Sequence, residues 1–253
     1  MVPQICRHLP AAWPHQGIVN YEDVEMTKPY IVAHILSSID GRIQTRNWPV
    51  RNLAGLFERT AETFKSDAWV VGRKTMQEFS SVKVHRLGRA HASIPKKDFV
   101  GRHSAKTYAV VIDPRGKCFW DSNMVTSEHV IEVLTEAVST AYLKHLREKQ
   151  VSYIFAGKTS IDLKRAVTKL AKLFRIKTIR VDGGGIMWGA FLKASLIDEI
   201  SHVVVPVADG SIGTPSVFDA EIGHTSRQAK ALQLKSIKQL PGGIIWTRYR
   251  VVN

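Results

Sequence analysis

Apolar residues along this chain fall into two patterns. Short continuous runs, rich in β-branched and aromatic residues and bounded by turn-formers, occur at YIVAHIL (30–36), AWVVG (68–72), TYAVVID (107–113), HVIEVL (129–134), VSYIFA (151–156), TIRV (178–181) and EISHVVVP (199–206). Such runs are the pattern of strands buried on both faces. Between them apolar positions recur at helical spacing: Leu53, Leu56, Phe57, Ala61 and Phe64, then Val138, Ala141, Tyr142 and Leu146. Leu163, Ala166, Val167, Leu170 and Phe174 form a third such set behind Asp162, a good N-cap, and Ile186, Ala190, Phe191 and Ala194 a fourth. Strand and helix therefore alternate, which predicts βαβ units, a largely parallel sheet and helices on both of its faces. The tail breaks the alternation: ALQLKSI, PGG and IIWTRYRVV read as two strands joined by a turn, an antiparallel addition.

Residues 1–27 are rich in Pro, His and polar residues without a sustained period and read as an irregular N-terminal arm, leaving 28–253 as a single domain. The Lys-, Arg-, His- and Ser-rich stretch 80–105 reads as a long surface loop inside that domain. No apolar run approaches the ~20 residues that span a bilayer, so no membrane partner is expected. The first residues lack the apolar core of a signal peptide. Cys6 and Cys118 are the only cysteines, which fits a reducing cytoplasm. The formal charge of +14 admits two readings, a nucleic-acid surface or a solvated basic exterior. Lys and Arg are spread along the chain with no zinc-finger, KH or RRM signature, which favours the second; a basic field also helps to capture a polyphosphate.

Two strand-to-helix junctions carry anion-binding chemistry. In VVGRKTMQEF (70–79) a strand ends at Gly72, and Arg73, Lys74 and Thr75 open the next helical turn. Free N–H groups, a hydroxyl and a guanidinium there make an anion site, although a glycine turn before an exposed basic stretch has the same letters. In IRVDGGGIMWGAFL (179–192) Gly183, Gly184 and Gly185 stand between strand and helix. Bare backbone at a helix N-terminus can receive a pyrophosphate, while tight strand–helix packing alone accounts for one or two glycines. Neither G-x-G-x-x-G nor G-x-x-x-x-G-K-[ST] occurs.

With these junctions in place, four blocks together resemble the dihydrofolate reductase superfamily, and within it the reductase domain of riboflavin biosynthesis. They are SSIDGRI (37–43), DAWVVGRKTM (67–76), VIDPRG (111–116) and RVDGGGIMWGAFLKASLIDEISHVVVPVADG (180–210), in that order, and the resemblance runs from about Lys28 to Val252. It implies an α/β fold, a dihydrofolate-reductase-like three-layer sandwich with a mostly parallel mixed sheet and a C-terminal antiparallel hairpin. It also implies a homodimeric, NADPH-dependent oxidoreductase acting on a small molecule, a pyrimidine bearing a sugar phosphate in the riboflavin enzymes. The H-x-E and paired-cysteine zinc motifs of the deaminase half of many bacterial members do not occur, so that half is not expected.

By the same resemblance Gly72, Arg73 and Thr75 hold NADPH phosphates, and Gly183, Gly184, Gly185 and Ile186 contact the pyrophosphate and the nicotinamide side. Ala33 neighbours the nicotinamide and Gly157 touches the cofactor. Ser38 and Asp40 lie at the substrate, and Trp48, Arg51 and Arg59 follow in the stretch that covers it; for the two arginines a solvent-facing helix charge is an equal reading. Two departures stand at the reacting centre. Where the riboflavin reductases have lysine and glutamate, this chain has His34 and Asp182, the catalytic candidates; the pair of changes suggests a related reaction on a different or smaller substrate, with a conservative swap that preserves the original reaction as the alternative. A hydrogen-bonded core role is open for His34. NWPVRNLAGLF superficially resembles the entrance of dihydrofolate reductase, but Asn52 and Leu53 stand where that enzyme has its pterin-gripping acid.

Overall fold

The computed structural model describes residues 28–80, 94–219 and 229–252. The expected arm, and residues 81–93 of the expected loop, lie outside the described residues.

One sheet of ten strands runs through all three stretches. The elements are β1 (Tyr30–Ser37), α1 (Leu53–Ala61), β2 (Ala68–Gly72), α2 (Arg73–Met76), β3 (Tyr108–Ile112), β4 (Met124–Val125), β5 (Glu128–Leu134), α3 (Thr140–Glu148), β6 (Ser152–Phe155), α4 (Leu163–Phe174), β7 (Thr178–Gly183), α5 (Gly185–Lys193), β8 (Glu199–Val204), β9 (Ala231–Leu240) and β10 (Ile244–Val252). The strand order is β4-β5-β3-β2-β7-β1-β8-β10-β9, with β6 also paired to β5. From β6 to β8 every neighbouring pair is parallel, and β8–β10 and β9–β10 are antiparallel, as the tail pattern predicts.

The apolar runs are continuous because helices cover both faces. On one face Ile31, Ala33, Val70, Val110 and Val181 pack against α4, whose Ala166, Val167, Leu170 and Phe174 form one stripe, and against Trp188 and Phe191 of α5. On the other, Val71, Val111 and Val130 meet Met76 of α2 and Leu143 and Leu146 of α3. Leu36 and Val203 meet Leu53 and Leu56 of α1 on that same face. Helices on both sides of one sheet make three layers. Helix starts follow their caps: Asp162 accepts the Arg165 N–H at 3.0 Å and Ser139 the Tyr142 N–H at 3.1 Å.

Two features go beyond the sequence pattern. The described part of the stretch 80–105 is a largely surface segment pinned to the sheet margin. Phe99 and Tyr153 exchange backbone hydrogen bonds at 2.9 Å, Gly101 N–H donates to Ser152 Oγ at 2.9 Å, and Phe155 N–H donates to Asp98 at 2.8 Å. One aromatic in a polar stretch was too weak a signal for this. The two-residue strand β4 was not foreseen, being too short to carry a period.

Candidate functional site

Parallel strands end on a common rim, and ligands of open α/β sheets bind there, where neighbouring connections diverge. That point lies between β2 and β7. The connection from β2 leaves through α2 towards β3 over one face, and that from β7 leaves over the opposite face through α5 towards β8. Beside it lie Ser38–Asp40 after β1, Gly72–Thr75 after β2 and Gly183–Gly185 after β7, brought together from distant parts of the sequence.

The three glycines turn out to serve different ends. Gly183 has φ +121°, and a Cβ on it would lie 2.9 Å from the Trp188 ring. A Cβ on Gly185 would lie 1.9 Å from the Ser216 carbonyl oxygen, and one on Gly189 would lie 2.0 Å from the Asp219 carbonyl. Gly183 thus admits the Trp188 ring, and Gly185 and Gly189 admit the segment 216–219 against α5. Gly184 is otherwise: its nearest neighbour would be Ile43 Cδ1 at 3.4 Å, with no backbone in front. Gly72 matches it on the adjacent strand, with Met187 Cε at 3.4 Å. Bare backbone thus faces the crevice from both β2 and β7. Arg73 and Thr75 stand half-buried beside Gly72, and the Arg73 guanidinium is directed by a 2.7 Å hydrogen bond to Gln77. Such a cradle suits the phosphates of a dinucleotide.

The acid in front of the glycines has a partner that the sequence reading missed. Arg180 and Asp182 alternate onto one face of β7, and Arg180 grips Asp182 at both oxygens, Nε to Oδ1 at 2.6 Å and a terminal nitrogen to Oδ2 at 2.7 Å. Their side chains are 12% and 9% exposed. Burial raises Asp182 to about 6 against the pull of Arg180. The spacing of two along TIRVDG was the available signal.

His34 stands beside Asp182, one position beyond the Ala33–Val181 pair of β1 and β7. It is fully buried. Its Nε2 lies 3.2 Å from the Phe57 carbonyl, which can only accept, so that nitrogen carries the proton. Nδ1 then accepts from the Ser201 hydroxyl at 3.0 Å, and that oxygen receives the Trp246 indole N–H at 2.8 Å. Burial lowers His34 to about 3, with Arg180 adding to the effect. Both ring nitrogens are engaged and the ring is neutral, as in the core role left open above.

The remaining candidates divide. Ser38 donates to Asp40 Oδ1 at 2.6 Å and accepts from Arg42 N–H at 2.9 Å, while Asp40 accepts the N–H groups of Asp209 and Gly210 at 3.0 and 2.9 Å. The Ser38 hydroxyl and these N–H groups hold the Asp40 carboxyl well below the usual range. This pair clamps the turn after β1 to the loop after β8. Trp48 is buried among Leu36, Leu53 and Trp246, and its indole donates to Asp209 at 2.6 Å, so its bulk belongs to the core rather than to a substrate cover. Arg51 and Arg59 are exposed. Ala33 is fully enclosed on the opposite face. Ile186, in the first turn of α5, is half exposed. Gly157 follows β6, three strands from Gly72 or about 14 Å along the rim, and its φ of +151° serves a turn in which a Cβ would strike the Ser160 carbonyl.

Sheet order and site together define an α/β protein with a mostly parallel sheet and a crevice at the β2–β7 divergence. Residues 29–246 match the RibD C-terminal domain, and the chain belongs to that family. It is 24% identical over 199 residues to the riboflavin biosynthesis protein RibD of Chlamydia muridarum, which covers 77% of this chain and 51% of that protein, so the chain spans about half the length of this relative. In fold it is similar to a pyrimidine reductase-like protein of Corynebacterium diphtheriae, with a TM-score of 0.65 at 20% identity over 89% of this chain and 92% of the other. The riboflavin biosynthesis reductase of Saccharomyces cerevisiae gives 0.57 at 16% identity over 88% and 90%.

Proposed function

We propose that this chain is an NADPH-dependent reductase that transfers hydride to a C=N or C=O carbon, akin to the 5-amino-6-(5-phosphoribosylamino)uracil reductases of riboflavin biosynthesis. The observation that carries the reading is the pair of bare backbone sites, Gly72 at the end of β2 and Gly184 just after the neighbouring strand β7, with Arg73 beside them. Arg73 and Thr75 would hold phosphate, and Gly184 with the first turn of α5 the pyrophosphate. NADPH supplies the hydride when bound. The protein's share is orientation and electrostatics. Fluorescence titration tests it: Arg73→Ala weakens NADPH about tenfold, roughly 1.4 kcal/mol, and NADH about twofold or less. Equal, weak binding of both cofactors by the unaltered protein would sink the reading.

At the reacting end, the fixed cation that the related enzymes carry as lysine at the position of His34 is supplied here by Arg180. Asp182 is the acid paired with it, and His34 positions α1 through Phe57 without exchanging a proton. His34→Lys alone then places a second cation beside Arg180 and destabilises the fold. With Arg180→Leu added, Asp182 again has one cationic partner. A double-mutant cycle in urea is expected to show favourable coupling of about 1–3 kcal/mol between the two changes. Additive losses would return the cation's role to an open question. The altered cation–acid geometry favours a substrate other than the phosphoribosylamino-uracil, and NADPH oxidation against that compound, other imines and carbonyls, and dihydrofolate decides between them.

Homodimerisation belongs to the same reading. Its support is the outer strand β9, where Leu232, Leu234 and Ile237 are 45%, 53% and 62% exposed.

A further inference from the structure

Away from the crevice, under α3, three donor side chains meet in the core. Asp113 follows β3, Cys118 ends the turn that Asp113 begins, and Glu132 lies in β5, opposite Val111. All three residues are fully buried, and one ligand atom from each lies within 4.8 Å of the others.

Each carboxylate has one oxygen fixed by donors. Asp113 Oδ2 accepts the backbone N–H groups of Lys117 and Cys118, the latter at 2.7 Å. Glu132 Oε1 accepts the indole N–H of Trp120 and the hydroxyl of Tyr142, the latter at 2.6 Å. The other oxygens, Asp113 Oδ1 and Glu132 Oε2, are buried without any hydrogen-bond partner. Neither acid takes part in an ion pair among the described residues. Two carboxylates in an apolar core need a positive counterpart, because desolvation without one is costly. The donors on Oδ2 and Oε1 hold both groups in the orientation of ligands.

We propose that Asp113, Cys118 and Glu132 form a buried divalent-cation site, with Oδ1, Oε2 and Sγ as its ligand atoms. Two carboxylates with a thiolate suit a borderline ion such as Zn²⁺ and disfavour Mg²⁺ and Ca²⁺, which prefer oxygen alone. Binding releases the thiol proton to solvent and changes no oxidation state. Enclosed under Trp120 and Tyr142, the ion would join β3, β5 and the turn between residues 113 and 118, a structural role.

The test uses the full chain, stripped with chelator and titrated with Zn²⁺ or Co²⁺. Expected are saturable, stoichiometric zinc, a rise in melting temperature, and a near-ultraviolet thiolate-to-cobalt charge-transfer band. The Cys6→Ser variant keeps all three. Cys118→Ser, which changes one atom, loses the band, and it and Glu132→Gln each bind zinc at least roughly tenfold more weakly. A band that follows Cys6 instead, or a folded protein without saturable zinc, overturns the proposal. So does an infrared band of a protonated carboxyl, unchanged by added zinc and lost in Glu132→Gln, which would make the counterpart a shared proton.

Discussion

Asp182 and His34, neighbours on adjacent strands, are displaced from their ordinary ionisation in opposite senses. Asp182 is raised to about 6, so the folded state holds its proton more tightly than the unfolded chain. Its contribution to stability is complete below about pH 4 and is lost as pH rises to 6. His34 is lowered to about 3, so its contribution is complete above about pH 6.5 and is lost as pH falls towards 3. Between pH 4 and 6 the two slopes oppose each other. Asp182→Asn removes one of them, and urea unfolding of that variant is expected to show stability rising with pH across this window. The same variant leaves Arg180 buried without its partner, at a cost of about 3 kcal/mol at pH 7. A variant as stable as the parent, with an unchanged pH profile, would contradict the pairing. At this scale the sequence was half legible. The identity of the unusual residues could be read from their positions, but their partners could not. Phe57 and Ser201 meet His34 across 23 and 167 residues of chain, and only the TIRVDG alternation carried its partner within reach.

Among elements, the strand–glycine–helix junction before α5 separates packing from binding. Gly185→Ala must push the Ser216 carbonyl aside, and about 1–3 kcal/mol of stability is expected to go whether or not cofactor is present. Gly184→Ala meets only the tip of Ile43, so it is expected to fold with near-parental stability and to weaken NADPH. Thermal melts paired with NADPH titration check both; the reverse pattern would assign the phosphate to Gly185. Three glycines in a row could be read from the sequence as a demand for bare backbone. What approaches them differs at each, Trp188 at Gly183, Ile43 at Gly184 and the segment 216–219 at Gly185, and no local pattern shows it. The strands of the parallel core were legible because burial on both faces leaves a continuous apolar run. The helices were legible from their stripes. The residues around Phe99 were not, because a sheet margin can be guarded by a few hydrogen bonds in an otherwise polar segment.

For the whole molecule, the +14 charge and the β9 strand set the outward behaviour. If the charge is a solvated exterior, retention on DNA or RNA is expected to vanish near physiological salt; persistent binding with a steep salt dependence would favour a nucleic-acid surface. Leu234→Lys with Ile237→Lys is expected to shift a dimer to monomer in sedimentation at unchanged melting temperature. The pinned segment across β6 gives that association a direction. Among the described residues, 98–101 lie along β6 at one margin and no further strand pairs with β9 at the other, so the proposed pair would join through β9. An edge consumed in closing a pair cannot template a third copy, so the expected species is a dimer and not a fibre.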